Sequence, residues 1–304
     1  MIYDIIIVGG GPAGLTAALY ARRANKSVLV IEKSTFGGQI TFSPKVENIP
    51  GFTVLSGNEF AEKMVDQVLA QEAETEFAEV TGLRDDGEYK TVVTDDGEFQ
   101  AKAVIIATGA KHRLLGLEKE EGFVGNGISF CAVCDGAFYE GKTVAVIGGG
   151  NSALQEAILL SDLVKKLYVV QNLDFFTGEA KLVEQLLAKP NVEAILGTVV
   201  DGYLGESELN GVRLKRVSDG YISSLTVDGV FLAVGLIPQN EQFKDVIPLD
   251  ERGYADADET CKTASKGIFV AGDCRKKRIR QVTTAAADGA IAALAACDYI
   301  DALK

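Results

Sequence analysis

The stretch Asp4-Ile-Ile-Ile-Val-Gly-Gly-Gly-Pro-Ala-Gly14 decides the fold of this 304-residue chain. Residues 4–8 are a short apolar run of the kind that forms a buried strand. The alanine- and leucine-rich segment 15–23 predicts a helix, and residues 28–31 predict a second strand that ends at Glu32. An acidic side chain at that strand end can accept hydrogen bonds from a ribose diol. This order of elements predicts a dinucleotide-binding unit.

The glycines of the turn follow the pattern G-x-G-x-x-G at Gly9, Gly11 and Gly14. Gly9 permits a tight turn, Gly11 lets the backbone approach a pyrophosphate, and Gly14 allows the helix and the strand to pack closely. Pro12 and Ala13 complete the turn, and the N-terminus of the helix offers free N–H groups to the phosphates. The alternative is a glycine-rich turn that binds nothing, but the acidic partner favours a nucleotide site.

The same unit recurs later in the chain. Residues 143–147 predict a buried strand, Gly148-Gly-Gly-Asn-Ser-Ala153 forms a second glycine turn, residues 154–163 predict a helix, and residues 167–170 predict another strand. Two copies of a strand–turn–helix–strand unit predict α/β architecture with two Rossmann-like domains.

The second copy lacks the side chains that select a nicotinamide nucleotide. Its second strand leads into Gln171-Asn-Leu-Asp174, with no acidic residue for an NAD ribose and no arginine for the 2′-phosphate of NADP. A phosphate without a cationic partner loses its strongest hydrogen bonds. Nicotinamide binding stays open only if a neighbouring residue such as Lys165 or Lys181 supplies the contact.

The composition excludes several classes of function. Acidic residues outnumber basic ones by 43 to 30, and the net charge of −13 disfavours nucleic-acid binding. No apolar run is long enough to cross a bilayer, and Met1-Ile-Tyr3 is not the charged start of a signal peptide, so we expect a cytoplasmic protein without a membrane partner. The exception to the acidic character is Arg275-Lys-Lys-Arg-Ile-Arg280, which is either a solvated loop or a docking patch for an acidic partner.

Two of the five cysteines form a CxxC pair, Cys131 and Cys134. A zinc site needs further ligands, and the chain has one histidine and no second CxxC, so we expect no metal. A CxxC near the start of a helix has one thiol with a lowered pKa, whose thiolate can attack another disulfide. Asp135 can shuttle a proton for this exchange. His112 is interpreted as a surface residue on a linker.

These motifs together resemble the low-molecular-weight thioredoxin reductases over essentially the whole chain. The matching segments are residues 9–14, 37–40, 47–51, 107–109, 131–136, 148–153, 271–273 and 280–281. The resemblance implies two Rossmann-like domains of three-layer ββα/βαβ architecture. The FAD domain would be discontinuous, comprising residues 1–113 and 239–304, and residues 114–238 would form an inserted NAD(P)-type domain that carries the CxxC.

The resemblance also implies roles for particular residues. Asp273 would bind the ribityl–phosphate region of FAD, Cys134 would contact the isoalloxazine ring, and Cys131 would attack thioredoxin. The expected catalytic residues are Cys131, Cys134 and Asp135. The expected FAD-binding residues are Gly9, Gly11, Pro12, Ala13, Gly14, Glu32, Lys33, Gly38, Gln39, Ile40, Asn48, Ala107, Thr108, Gly109, Gly272, Asp273, Arg280, Gln281 and Val282.

One departure from the family pattern concerns the electron donor. NADPH-using members carry His-Arg-Arg and a further arginine, where this chain has Gln171, Asn172, Leu173 and Thr177. The chain thus resembles the pyridine-nucleotide-independent branch, in which reduced ferredoxin supplies electrons, and ferredoxin could dock near residues 275–280. The alternatives are an NAD(P)H-dependent thioredoxin reductase, a dithiol oxidase of the same fold, or a flavin-bound sensor. The resemblance implies thioredoxin as a partner and a homodimer.

Overall fold

The computed structural model describes residues 1–43 and 46–303, and these divide into two compact units. The first unit comprises Met1–Lys111 and Ile237–Lys304, and the second is His112–Leu236. The chain therefore leaves the first unit after its N-terminal part and returns to it for the C-terminal part. Within the described residues no helix is long and apolar enough to span a membrane.

The first unit is built on a mixed sheet flanked by helices. Its elements are β1 (Ile2–Val8), α1 (Pro12–Arg23), β2 (Val28–Glu32), α2 (Gly57–Leu69), β3 (Glu74–Phe77), β4 (Val80–Asp85), β5 (Lys90–Thr94), β6 (Gly97–Ile106), β7 (Ala110–His112), and, after the second unit, β16 (Leu236–Pro238), β17 (Ile268–Val270) and α7 (Val282–Asp301). Strands β7 and β16 form a two-stranded ribbon where the chain passes between the units.

Strand β6 serves two parts of this sheet. Its C-terminal half lies between β1 and β17 in a parallel arrangement that continues through β2 to β3. Its N-terminal half pairs antiparallel with β5, which pairs with β4. The hairpin of β5 and β6 turns at Asp95-Asp-Gly97, and Asp-Gly is a sequence typical of tight hairpin turns.

The apolar run of β1 is explained by burial on both faces. Ile5 and Ile7 point into the core beneath the helices, whereas Ile6 and Val8 point into the core on the opposite face. Alternate side chains of a strand face opposite sides of a sheet, so a strand covered on both sides must be apolar throughout.

The small residues of α7 allow it to lie against α1. A side chain at Gly289 would overlap the backbone oxygen of Ala13 and would stand 3.1 Å from the backbone nitrogen of Ala17. Ala292 and Ala296 are also buried in this contact region. The small residues on this face of α7 thus let the two helices approach closely.

The second unit repeats the parallel part of this plan. Its elements are α3 (Glu120–Phe123), β8 (Ile128–Ser129), α4 (Ala132–Asp135), β9 (Thr143–Ile147), α5 (Asn151–Ser161), β10 (Lys166–Val170), α6 (Ala180–Leu187), β11 (Val192–Ile195), β12 (Thr198–Gly205), β13 (Leu209–Arg216), β14 (Ile222–Thr226) and β15 (Gly229–Leu232). A five-stranded parallel sheet has the order β11-β10-β9-β15-β8, and β12, β13 and β14 form an antiparallel sheet. The two-domain α/β fold predicted from the repeated glycine turn is confirmed.

Candidate functional site

The first glycine turn has the conformation that its motif predicts. Gly9 has a φ of +109°, and a side chain there would overlap the backbone oxygen of Ala107 at the end of β6. A side chain at Gly14 would overlap the backbone of Gly9. The turn is thus confined between two backbone segments, and the chain needs glycine at both positions. Pro12 is the first residue of α1, where its missing N–H costs nothing.

Glu32 reaches the turn from the end of β2. Its Oε2 accepts a hydrogen bond of 2.8 Å from the Gly10 amide, and its Oε1 accepts one of 2.9 Å from the Ser34 amide. An ionised carboxylate has about four acceptor positions. The carboxylate is therefore anchored beside the turn and keeps capacity for a ribose hydroxyl.

Asp273 is the clearest sign of a ligand in this unit. Its Oδ1 is buried and has no hydrogen-bond partner among the described residues. Burial raises the pKa of this carboxyl, while Lys277 and Arg280 act in the opposite direction. A buried polar atom without a partner is costly, so it marks a place where a bound group completes the structure. The preceding Gly272 contacts Ala13 of α1, which brings residue 273 next to the first glycine turn.

Several other predicted flavin residues also come together in this unit. Asn48 donates a hydrogen bond of 3.3 Å from Nδ2 to Oε1 of Gln281, and Ile40 and Val282 pack on the same apolar cluster. Gly38 approaches Gly11 so closely that a side chain at 38 would lie 3.3 Å from the Gly11 Cα.

The remaining residues predicted to bind FAD differ from one another in exposure and in hydrogen-bond partners. Gln39 is exposed in a 3₁₀ segment, and Lys33 makes a partly exposed ion pair of 3.2 Å with Glu79. Thr108 and Gly109 continue from the end of β6, and Thr108 hydrogen-bonds Asn240 at 3.2 Å. Arg280 donates to the Asp273 backbone oxygen at 3.3 Å.

The first unit therefore fits a dinucleotide such as FAD. The glycine turn leaves backbone amides at the start of α1, an acidic side chain stands at the ribose position, and a buried carboxyl oxygen awaits a partner. The individual contacts to FAD stay predictions.

The second glycine turn has the same backbone form but different chemistry around it. Gly148 has a φ of +137° and lies against the backbone oxygen of Ala233, as Gly9 does against that of Ala107. Gln171, at the place of Glu32, is buried and turned to its own loop. Its Nε2 donates to the Phe175 oxygen at 3.4 Å, and its Oε1 accepts from the Asn172 amide at 3.2 Å.

The segment after Gln171 presents neutral or acidic groups to this turn. The backbone amide and hydroxyl of Thr177 both bond to the Gly149 oxygen, at 2.9 and 3.2 Å. The Glu179 carboxylate accepts a bond of 3.0 Å from Asn151, the first residue of α5. A hydroxyl and a carboxylate are poor partners for phosphate, which is bound best by cations.

The two lysines considered as substitute partners are both exposed and differ in their place in the chain. Lys165 is exposed just before β10, at the opposite end of that strand from Gln171. Lys181 is exposed on the first turn of α6.

The redox pair lies on a short helix of the second unit. Cys131 and Cys134 form a disulfide, with the two Cα atoms 5.3 Å apart. Cys131 caps α4, and its Sγ accepts a hydrogen bond of 3.2 Å from the Cys134 amide. The predicted position near a helix start is confirmed. Val133, which lies between the two cysteines in the sequence, is 64% exposed and leaves an apolar contact surface beside the pair.

Asp135 is adjacent to the pair and is suited to hold a proton. Its Oδ2 accepts a bond of 2.6 Å from the Ser129 hydroxyl, whereas its Oδ1 is buried without a partner among the described residues. Burial raises the pKa of this carboxyl, and the Ser129 bond lowers it in part.

The prediction that His112 is a surface residue is wrong. Its ring is stacked on Phe130 with 4.3 Å between centroids, and burial lowers its pKa to about 4. A neutral imidazole is apolar enough to pack on an aromatic ring, and sequence position gave no signal of this contact.

The basic segment 275–280 is less basic at its surface than its sequence suggests. Arg275 and Lys277 are buried and both bind the carboxylate of Asp288, with distances of 2.9 Å. Only Lys276 and Arg278 among its charged residues are exposed.

Sequence reasoning missed three buried polar residues of these sites: Ser129, Glu156 and Asp288. Asp288 had a signal, because it is the one charged residue in 282–297. Ser129 and Glu156 had none, since each acts through a contact that only the fold creates. In the described parts of the chain, no group of three or more His, Cys, Asp or Glu could hold a metal ion.

Comparisons with known proteins agree with these features. The family model for pyridine nucleotide-disulphide oxidoreductases matches residues 3–289. A 34.2 kDa protein in the rubredoxin operon of Clostridium pasteurianum is 40% identical over 298 residues, covering 98% of this chain and 97% of the relative. The thioredoxin reductase of Treponema pallidum is 41% identical over 303 residues, covering 99% and 98%. The crystal structure of thioredoxin reductase from Streptococcus pyogenes matches with a TM-score of 0.94 at 40% identity and covers 99% of both chains.

A fold of two Rossmann-like domains with a CxxC disulfide defines a class of flavin-dependent disulfide oxidoreductases. The chain belongs to the pyridine nucleotide-disulphide oxidoreductase family and, within it, to the low-molecular-weight thioredoxin reductases. Its cofactor is FAD.

Proposed function

We propose that this protein reduces the disulfide of thioredoxin with electrons that come from reduced ferredoxin rather than from NADPH or NADH. The observation that carries the choice of donor is the set of side chains at the second glycine turn. Thr177 and Glu179 bond to the turn and to the start of α5, Gln171 bonds to its own loop, and none of these three is a cation. Where NADPH-using members of the family carry arginine, this chain has Asn172, Leu173 and Thr177, so a 2′-phosphate would lack a cationic partner.

The chain's own groups support the disulfide half of the reaction. FAD supplies the redox chemistry that links one-electron donors to a two-electron disulfide. When the electron pair reaches the Cys131–Cys134 disulfide, the S–S bond breaks and the two sulfurs become thiolates that take up protons. Asp135, with its raised pKa, is placed to hold one of these protons.

Exchange with thioredoxin returns the pair to the disulfide. The Cys131 thiolate attacks one thioredoxin sulfur and releases the other as a thiolate, and Cys134 then attacks Cys131 in the mixed disulfide. Thioredoxin leaves as a dithiol and gains the two protons that the enzyme thiols lose. Exposed Val133 gives the partner an apolar contact next to the attacking sulfur.

The donor is tested by anaerobic reduction of the purified flavoprotein with NADPH, NADH and reduced ferredoxin in parallel. We expect rapid bleaching of the flavin band by ferredoxin only, and rapid bleaching by either nicotinamide would refute the proposed donor. The variant N172R/L173R/T177R supplies the missing cations, and a gain of NADPH-driven bleaching in it would show that charge alone had prevented binding. Q155A, on the exposed side of α5, is the control.

The disulfide-exchange half of the reaction is tested separately by replacing each cysteine of the pair. Cys131→Ser and Cys134→Ser should each abolish thioredoxin reduction while the flavin stays bound. Cys297→Ser, which changes a buried cysteine of α7, should leave turnover unchanged. Turnover that survives loss of either sulfur of the pair would end the proposal. Peroxide production from a small dithiol, without thioredoxin reduction, would favour a dithiol oxidase instead.

The remaining expectations are proposals too. Ferredoxin docking at residues 275–280 would rely on the exposed Lys276 and Arg278, since the side chains of Arg275 and Lys277 are buried against Asp288. Reversing both exposed charges should slow electron entry and weaken its salt dependence. The homodimer stays a prediction that the solution mass would test.

A further inference from the structure

A buried carboxyl lies directly beneath the redox helix. Glu156 belongs to α5, which packs against α4, and the backbone amide of Ala132 donates a hydrogen bond to its carboxylate. Ala132 is the residue that follows Cys131. The Glu156 Oε2 is buried and has no partner among the described residues. The side chain is partly exposed along its length, but the oxygen that would carry charge is shielded from water.

The charges around Glu156 do not compensate its own. On the redox helix and the turn after it, the titratable neighbours are Asp135 and Tyr139, and burial raises the pKa of both. The other elements packed against α5 are β9, which has no charged residue, β10 and α6. Their charged or titratable residues are Lys166, Tyr168, Lys181 and Glu184.

Of these, none neutralises the buried carboxyl. Lys166 is paired with Glu193 at 2.8 Å, and Lys181 and Glu184 are exposed on α6. Burial therefore dominates and raises the pKa of Glu156 to about 8, although the Ala132 amide acts in the opposite direction.

We propose that Glu156 is a positioning residue that sets the charge of the redox pair: its carboxyl stays protonated while Cys131 is a thiolate, and its ionisation disfavours that thiolate. Two negative charges that are close together and poorly solvated repel each other, so ionisation of one group raises the pKa of the other. The Glu156 carboxyl and the Cys131 thiol therefore titrate as a coupled pair. Glu156 forms no bond to sulfur, and the thiol proton leaves to solvent while the carboxyl keeps its own.

This inference rests on the disulfide-exchange part of the proposed function and is independent of the electron donor. It predicts that thiolate formation at Cys131 occurs in two steps as pH rises. One proton is lost from the pair first, and the second is lost only at higher pH because the remaining group opposes a neighbouring negative charge. With Gln at 156 the thiol would ionise in one step at lower pH.

The test measures the rate of Cys131 alkylation by iodoacetamide from neutral to alkaline pH. The protein is the reduced holoenzyme with Cys134→Ser, so that Cys131 is the remaining sulfur of the pair. We expect two steps in this parent and one step after Glu156→Gln. Near pH 8 the Gln variant should react faster by about tenfold, which corresponds to one unit of pKa.

Two matched variants separate charge from structure. Glu156→Asp keeps an ionisable group and should retain two steps, and Glu184→Gln removes an exposed carboxylate from neighbouring α6 and should match the parent. Gln at 156 still accepts the Ala132 hydrogen bond, and thermal unfolding checks its fold. Identical profiles for the parent and Glu156→Gln would overturn the inference, as would a single step in the Asp variant.

Thioredoxin turnover of the wild-type protein, measured in parallel, keeps the two proposals apart. An absence of turnover with a two-step alkylation profile would refute the proposed function and leave the coupling standing. Normal turnover with a one-step parent profile would refute the role of Glu156 alone.

Discussion

The two glycine turns of this chain have nearly the same backbone shape, but they differ in the polar side chains that surround them. At the central glycine of each motif the space is equally open: the nearest atom to an added side chain is 3.9 Å away at Gly11 and 3.8 Å away at Gly150. The strand that follows each turn's helix ends in Glu32 in the first case and is followed directly by buried Gln171 in the second. Steric access thus does not distinguish the two turns.

The difference lies in which polar groups remain available. In the first unit, Glu32 keeps acceptor capacity, and Asp273 has a buried oxygen without a partner among the described residues. In the second unit, Gln171 bonds to the Phe175 oxygen of its own loop, and Thr177 bonds to the turn. The charged side chain that bonds to the start of α5 is the carboxylate of Glu179. A glycine motif therefore predicts a fold unit, while the side chains around it determine whether a nucleotide binds.

The largest effect is expected from adding one methyl group to the first glycine turn. Gly11→Ala has room in the protein alone but occupies the space where a pyrophosphate approaches the backbone. We expect FAD affinity to fall by roughly hundredfold, which corresponds to about 3 kcal/mol of lost charge-assisted hydrogen bonds. The measurement is flavin absorbance after dialysis.

Gly150→Ala is the matched control for that change. It should retain its flavin and its ferredoxin-driven turnover, because the proposed donor requires no nucleotide at the second turn. Equal flavin loss in the two variants would show that the turns do not differ in the way described here.

A smaller effect is expected at the strand ends. Glu32→Ala removes an acceptor from the ribose position and leaves the Gly10 amide without its partner. We expect FAD affinity to fall by about tenfold, equal to roughly 1.5 kcal/mol. Fluorescence titration of the apoprotein with FAD measures it. Gln171→Ala should not change the FAD affinity; a loss as large as that of Glu32→Ala would contradict the comparison.

The last effect is on stability rather than on FAD affinity, and it concerns pH and the unit that carries the second turn. His112 has its pKa lowered to about 4 by burial, below its ordinary value of 6.5. A group with a lowered folded pKa contributes stability that is present above the unfolded pKa and is lost as pH falls through the folded pKa. We expect this unit to lose about 3 kcal/mol between neutral pH and pH 4 through this residue. Urea unfolding at several pH values measures the loss.

His112→Gln should show a flatter dependence on pH over the same range, since glutamine does not titrate. Tyr20→Phe, an exposed change on α1 of the first unit, is the control and should follow the wild type. An acid-induced loss that is unchanged in His112→Gln would mean that another group is responsible.

Much of the fold could be predicted from local sequence. The apolar runs of β1 and β9, the glycine turns after them and the small residues of α7 each mark an element whose burial demands that composition. The CxxC likewise predicted a disulfide chemistry that the structure shows as a bond between Cys131 and Cys134. These features are readable because each depends on residues close together in the chain.

The features decided by tertiary structure depend on residues far apart in the chain. In the basic segment at 275–280 two cations are buried against Asp288 of α7, and His112 is half-buried and stacks on Phe130. Glu156 meets the Ala132 amide, next to Cys131, only because α5 packs on α4. Sequence by itself determined the α/β units and the redox pair. Folding decided which charges are available and which protons are held, because desolvation depends on every neighbour in space and not on the neighbours in sequence.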